Sequence, residues 1–355
     1  METAGAWFKR ADGQAGARVC VVAEIGVNHD GRVGRGLDLV RAAAEAGADA
    51  VKLQLFDPDR LLSRQALLAG YQAGQAADAK ALLRGLALKP EAMARLGDEA
   101  KSLGLRFVVT PFSPGDVEIL AGLGVDAVKI ASPDAVNTPL LEAAMSLGKP
   151  MLVSTGTCEL GELTPLARML VKHKPGGCLL QCVSSYPTPV EDAALGGMIA
   201  MRERFGLPVG YSDHTQTIDT GAMAVMAGAV VIEKHLTYDR SAHGPDHSAS
   251  ADPAQFIEYI KLIRRAETML GPIAKRVSAV EKDVRKVSRQ SVCVVRDLPA
   301  GHRLTADDLT VKRPGTGVPA CELKNLIGQI LTRPVGADNL LTAGDIAHAH
   351  AGSAA

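Results

Sequence analysis

Several charged or imidazole-bearing residues stand where a hydrophobic strand would carry none. Lys52 interrupts Val51-Lys52-Leu53-Gln54, Lys129 interrupts Val128-Lys129-Ile130, and Glu233 and His235 alternate with Ile232 and Lys234 in a third apolar run. Alternate residues of a strand share a face, and a charge turned into a packed interior is costly unless it is paired or working. By the same alternation Glu24, Gly26 and Asn28 form one set, Lys52 and Gln54 a second, and Ser212 and His214 a third. Two ammonium groups in one small cavity repel, and a phosphate or carboxylate ligand would offset that repulsion. Thr110, Ser132, Ser154, Thr155, Ser184 and Ser212 place hydroxyls at strand ends. Each alone reads as a helix cap. Beside two lysines they read as short donors around a phosphoryl oxygen.

His214 and His235 fall at the ends of what would be adjacent strands, where two imidazoles could share one divalent ion with oxygen ligands or water. Glu233 and Asp246 are candidate carboxylates for proton handling, although Glu233 could instead only neutralise a lysine. Tyr186 opens a rigid loop, Tyr186-Pro187-Thr188-Pro189, that could present its phenol to a substrate or pack it. His29, in Asn28-His29-Asp30-Gly31, reads as a turn residue bonded to the loop backbone. His243 and His247 stay ambiguous for the same reason.

The elements that must position these groups repeat. Short β-branched runs at 19–25, 50–56, 106–112, 127–132, 150–155, 178–184, 208–213 and 230–236 alternate with Ala/Leu-rich helical stretches, among them 33–46, 89–103, 139–147 and 253–270. Eight such units suit a (β/α)₈ TIM barrel, with the functional groups gathered at the C-terminal ends of the strands. A doubly wound open sheet is the alternative, since periodicity does not show closure. A barrel over 1–270 is therefore expected, then a charged linker at 271–288 and a small β-rich module at 289–347. A fraying tail of small residues is expected at 348–355.

Composition removes several function classes. The 39 Lys+Arg balance 39 Asp+Glu, so no global field draws the chain to nucleic acid or to an anionic membrane. One Trp, five Tyr and six Phe are too few for a base-stacking platform. The longest uncharged apolar run, 221–232, is far short of the ~20 residues that span a bilayer. The N-terminal residues lack the apolar stretch and cleavage site of a signal peptide, and the six cysteines form no CxxC pair. A reducing cytoplasm is the expected compartment.

The motifs also occur together in a known order. Residues 23–31 (AEIGVNHDG), Val51-Lys52-Leu53-Gln54, Thr110-Pro111-Phe112-Ser113 and Val128-Lys129-Ile130-Ala131-Ser132 open the series. Tyr186-Pro187-Thr188-Pro189, Gly210-Tyr211-Ser212-Asp213-His214-Thr215, Ile232-Glu233-Lys234-His235 and Gly244-Pro245-Asp246-His247 continue it. The series resembles the sialic acid synthase family over 18–270, and the tail resembles the antifreeze-like (SAF) module those synthases carry. The resemblance implies condensation of phosphoenolpyruvate with the aldehyde of an N-acyl-hexosamine such as N-acetylmannosamine, plus water. The products would be a nine-carbon 2-keto sugar acid and phosphate.

It further implies that Lys52, Thr110, Lys129, Ser132 and Ser212 hold phosphoenolpyruvate, with Ser184 where the family places an Asn. His214 and His235 would bind Mn²⁺, with Mg²⁺ or Co²⁺ as alternatives. Glu24, Gln54, Tyr186 and Asp246 match positions that orient the sugar and a water. Arg313, in Val311-Lys312-Arg313-Pro314-Gly315, matches a segment that offers an arginine to the sugar in the partner subunit, which implies a domain-swapped homodimer. The stretch 69–84 is richer in Ala and Gln than in other synthases, so the acceptor stays open, with legionaminic and pseudaminic precursors as candidates. One rival is a related enzyme with an aldose-phosphate acceptor, which would need a second basic cluster at the mouth beyond Arg60 and Arg64. Another is a non-catalytic carbohydrate-binding protein.

Overall fold

Eight parallel strands close on one another in sequence order: β1 (Cys20–Gly26), β2 (Ala50–Leu55), β3 (Arg106–Pro111), β4 (Ala127–Ile130), β5 (Met151–Ser154), β6 (Gly177–Cys182), β7 (Val209–Asp213) and β8 (Val231–His235). The β1–β8 pairing, with Glu24 opposite His235, closes the barrel and excludes the open sheet. The computed structural model describes Trp7, residues 18–66 and residues 78–347. Positions 69–77 of the Ala- and Gln-rich stretch and the tail 348–355 lie outside the described residues.

The helices that alternate with the strands are α1 (Val33–Glu45), α2 (Pro90–Ser102), α3 (Pro114–Leu123), α4 (Thr138–Ser146), α5 (Thr164–Lys172), α6 (Gly196–Phe205), α7 (Thr220–Met226) and α8 (Pro253–Leu270). Helix α8 shows why they form where they do. Asp252 and Gln255 make a reciprocal capping box before it, Pro253 occupies its first turn, and Phe256, Tyr259, Ile260 and Ile263 recur on one buried face. Helices α1 and α2 stop before Gly47 and Gly104, whose φ values of 85° and 77° turn the chain out of the helix at no steric cost.

Strand alternation then sorts the interior. Outward residues such as Val21, Ala23, Val51, Leu53, Val128 and Ile130 join the helices in one large apolar layer. Inward residues low in the barrel, including Cys20, Val22, Ala50, Val108, Leu152 and Leu180, make an apolar plug that Trp7 joins. One pleat higher the inward positions become Glu24, Lys52, Thr110, Lys129, Ser154 and Ser212, all buried. The barrel is therefore apolar at its N-terminal half and polar at its C-terminal half, the end at which barrel active sites sit.

The chain divides into two compact units, 1–273 and 274–355. The second contains a short helix, Lys282–Ser288, and the antiparallel pair β9 (Ser291–Val294) and β10 (Leu309–Lys312) over a core that includes Val292, Val294, Leu298, Leu331 and Leu341. The segment 271–288, read as a linker, thus lies almost wholly in this unit. Around Leu331 the chain makes isolated bridges rather than a strand, Ile330 with Arg303 and Leu331 with Ile346. Among the described residues no helix is long and apolar enough to cross a membrane, and all six cysteines are free thiols.

Candidate active site

The polar end of the barrel opens into a cavity of about 410 Å³, a volume suited to small-molecule ligands. Lys52, Lys129, Thr110, Ser132, Ser184 and Ser212 line it, and so do Gln54, Tyr186, His214, Glu233, His235 and Asp246. Most of the barrel residues singled out in the sequence therefore meet in one cavity; Glu24 is fully buried beside it, in register with Lys52 and His235, while Thr155 bonds the Leu180 carbonyl and Asn28 the Leu236 carbonyl instead. Arg313 lies in the second unit, where its side chain is exposed.

Lys52 and Lys129 are 5% and 2% exposed, and each ammonium is held by a carboxylate. Lys52 Nζ lies 2.8 Å from Glu24 Oε2 and donates to Thr110 Oγ1 at 3.1 Å. Lys129 Nζ donates to Ser154 Oγ at 2.7 Å and lies 3.5 Å from Glu233 Oε1. Ser212 donates to the same Oε1 at 2.9 Å, while Glu233 Oε2 is buried with no hydrogen-bond partner. The two carboxylates are driven apart. Burial raises the Glu24 carboxyl to about 7 against the pull of Lys52, whereas at Glu233 burial is outweighed by Lys129 and Lys52, so its carboxyl is lowered. Glu233 is ionised at neutral pH and Glu24 is poised to share a proton.

Two glycines make these approaches feasible. A Cβ on Gly26, which sits at a bulge in the β1–β2 register, would collide with Glu24 Oε1 and come within 2.9 Å of Gln54 Nε2; Gln54 donates to Glu24 Oε1 at 2.9 Å. A Cβ on Gly156 would come within 2.6 Å of Ser184 Oγ and 2.9 Å of Ser132 Oγ. The bare Gly156 backbone instead donates its N–H to Ser132 Oγ at 3.0 Å, and both hydroxyls line the cavity that Lys129 lines.

Across the cavity the rings of His214 and His235 have centroids 5.3 Å apart, with Tyr186 against both at 4.1 and 5.8 Å. His214 Nδ1 lies 2.8 Å from the Val183 carbonyl, which assigns the proton to Nδ1 and leaves Nε2 as a lone-pair donor. His235 Nδ1 is buried without a hydrogen-bond partner, 3.6 Å from Asp246 Oδ2. Burial, then His214 and the lysines, hold His235 neutral, and burial raises the Asp246 carboxyl. Among the described residues no three His, Cys, Asp or Glu side chains converge as a metal site. His214 Nε2 and the unpartnered His235 Nδ1 leave two imidazole nitrogens that would suit a divalent cation whose other ligands are oxygens.

The remaining histidines separate cleanly. His29 Nδ1 accepts the Gly31 N–H at 3.1 Å, the turn bond read from its motif. His247 is buried between Thr237 Oγ1 at 2.7 Å and Asp30 Oδ1 at 3.0 Å, a strut for the loop that carries Asp246. His243 is exposed.

Residues 39–275 match the NeuB family, and residues 289–347 match the SAF domain. The chain belongs to the NeuB family. It is 39% identical over 330 residues to the N,N'-diacetyllegionaminic acid synthase of Legionella pneumophila, covering 90% of this chain and 92% of that protein. Identity to the N-acetylneuraminate-9-phosphate synthase of Homo sapiens is 31% over 328 residues, 90% of each chain. Among solved structures, the N-acetylneuraminic acid (sialic acid) synthetase from Leptospira borgpetersenii, in complex with citrate, superposes with a TM-score of 0.68 at 31% identity over 75% of this chain and 90% of that one. This NeuB-family chain is an enzyme of the nonulosonic acid synthase class.

Sequence reading missed two features of this NeuB-family cavity. Cys182 lines it, 3.8 Å from His214 Nδ1; burial raises its thiol, but His214, Ser132 and Lys129 together outweigh that and bring it down to about 7. Its inward parity with Cys178 and Leu180 was the available signal. An apolar wall of Val27, Phe56, Leu61, Leu83, Leu86 and Phe112 had no such signal, because Leu83 and Leu86 belong to a short helix, Ala79–Leu86, outside the barrel repeat.

Proposed function

We propose that this enzyme condenses phosphoenolpyruvate with the open-chain aldehyde of a neutral N-acyl-hexosamine, giving a nine-carbon 2-keto sugar acid and phosphate. The observation that carries the reading is the pairing, in one cavity, of two buried lysines among serine and threonine hydroxyls with two facing imidazoles. The lysine end suits the phosphate and carboxylate of an enol phosphate. A divalent cation held by His214 and His235, most simply Mn²⁺, would act as a Lewis acid toward the sugar carbonyl.

The protein's own groups account for the rest. Phosphoenolpyruvate is already an activated enol, so neither lysine forms a Schiff base. Its C3 attacks the aldehyde carbon, positive character develops at C2, and water adds there. Glu233 Oε2, ionised and without a hydrogen-bond partner, takes the proton of that water. That proton ends on the former aldehyde oxygen, which becomes the new hydroxyl. The C2 hydroxyl of the tetrahedral centre then gives its own proton to the departing phosphate as the centre collapses to the ketone, and phosphate leaves toward Lys129 and the serines. Glu24 acts through Lys52 and Gln54, setting the charge of one and the direction of the other.

The acceptor is better read as neutral than as phosphorylated. Lys52 and Lys129 are the cavity's lysines, and among its described lining residues there is no arginine. Arg60 is tied to Asp57 and Asp116, and Lys80 and Arg84 to Asp59. Similarity to a legionaminic acid synthase and the apolar wall favour an acceptor with acyl or deoxy groups at its far end. Arg313 is assigned to the sugar from the partner of a homodimer, on the strength of the family resemblance. A phosphate-release assay with phosphoenolpyruvate, Mn²⁺ and a panel of 2-acylamino-hexoses, read by mass spectrometry, tests the reading. Release should depend on a neutral acylamino-hexose; no release with any panel member would overturn it.

A further inference from the structure

The residues that precede the two histidines form a cluster the proposed chemistry does not use. Asp213 and Lys234 are cross-strand partners in the β7–β8 register and are 0% and 1% exposed. The alternation that turns Ser212, His214, Glu233 and His235 into the cavity turns this pair toward the helices. There Lys234 Nζ lies 3.0 Å from Asp213 Oδ2, donates to the Thr215 carbonyl at 2.8 Å, and sits 4.9 Å over the ring of Tyr259. The same carboxylate accepts from the hydroxyls of Thr220 at 2.6 Å and Tyr259 at 2.8 Å, and from the N–H and hydroxyl of Thr215 at 2.9 and 2.7 Å. Gly221 leaves room for this, since a Cβ there would come within 2.5 Å of Tyr259 Cζ.

A buried ion pair is a weak source of stability, because desolvation consumes most of the attraction and an apolar pair of similar volume often does as well. What the ion pair adds is direction. Asp213 grips the chain on both sides of His214, through its own backbone and through Thr215, while the Thr188 N–H holds the His214 carbonyl at 2.9 Å. Lys234 ties the residue before His235 to the same point. The His235 carbonyl is fixed in turn by the Ala251 N–H at 2.9 Å.

We propose that Asp213 and Lys234, with Tyr259 and Thr220, are positioning residues that set the spacing of His214 and His235 and hence the site's affinity for a divalent cation. The inference rests on the two-histidine metal reading, and the experiment separates the two. Mn²⁺ is titrated calorimetrically into the full-length protein without substrates, and thermal unfolding is recorded in parallel. Asp213→Asn should raise the Mn²⁺ Kd about 10–100-fold, the usual cost of losing an outer partner of a metal ligand. Tyr259→Phe, which removes one hydroxyl, should raise it by a smaller factor, and Lys234→Arg should stay closer to the parent than Lys234→Met. Leu96→Ala, in the core of α2 across the barrel, should lower the Tm with no change in Kd. Folded Asp213→Asn and Tyr259→Phe proteins with the parental Kd would overturn the inference, as would a Kd that follows Tm across every variant, Leu96→Ala included. If Asp213→Asn does not fold, Tyr259→Phe decides. A parent protein that takes up no Mn²⁺ would instead overturn the metal reading, and the inference with it.

Discussion

A single side chain in this cavity is defined by what its neighbours leave unsatisfied. Glu233 has one oxygen fixed by Ser212 and the other buried without a hydrogen-bond partner, so Glu233→Gln removes a base while keeping size and contacts. Its kcat should fall about 10²–10⁴-fold, the range for loss of a positioned base, with the KM for phosphoenolpyruvate little changed; steady-state kinetics would show whether the loss lies there. His235→Ala should abolish Mn²⁺-dependent phosphate release and leave the circular dichroism spectrum intact, and unchanged turnover would remove the metal assignment. His29 gives a prediction of the other kind, about stability. Burial lowers its imidazole from 6.5 to about 4, so the folded state prefers the neutral ring. The stability this contributes is complete above pH 6.5 and is lost as pH falls through about 4, to a total of about 3 kcal/mol. Denaturant unfolding of the parent should steepen across that window relative to His29→Asn, which keeps an acceptor for the Gly31 N–H. Parallel curves would show that His29 is not the group responsible.

Elements carry constraints that no single side chain reveals. Gly156 follows the end of β5 at the point where Ser132 and Ser184 approach most closely, and Gly156→Ala would force both hydroxyls away. With the serines displaced from the anion, the KM for phosphoenolpyruvate should rise about tenfold, a loss of about 1.4 kcal/mol of binding, with the acceptor KM little moved. A variant with parental KM would mean the serines do not hold the anion. Much of the element level was legible in the sequence, because a charge in an apolar strand is a local signal. Lys52, Lys129, Glu233 and His235 each broke a pattern that hydrophobicity alone should have kept, and strand parity placed them together. Glu24 was legible as an inward charge, but not as one spent on Lys52 and Gln54 rather than lining the cavity. The wall of Leu83 and Leu86 was illegible, because a short helix inserted between β2 and α2 has no repeat to predict where its apolar face turns. The same holds for Asp213, whose four partner residues, Thr215, Thr220, Lys234 and Tyr259, announce themselves nowhere along the chain.

At the scale of the whole molecule, the proposed role of Arg313 can be tested through assembly. Arg313 is exposed in that unit, beside the Pro314-Gly315 turn. If it serves the sugar, Arg313→Ala should raise the acceptor KM well above any change in the KM for phosphoenolpyruvate, and an equal loss of both would discredit the role. If it does so across a dimer, two defective proteins should repair each other at an acceptor concentration well below the raised KM. His235→Ala spoils a barrel and keeps a sound Arg313; Arg313→Ala keeps a sound barrel. In a mixed dimer with exchanged arms, the sound barrel receives the sound arginine, so co-expressed or subunit-exchanged mixtures should release phosphate at that low acceptor concentration faster than the mean of the two variants. With each arm serving its own barrel, every site in the mixture stays defective and activity remains at the mean of the two variants. Measuring the mixture against total protein concentration adds a check, because the regained activity should fall on dilution through the dimer dissociation range while that of a self-sufficient subunit would not.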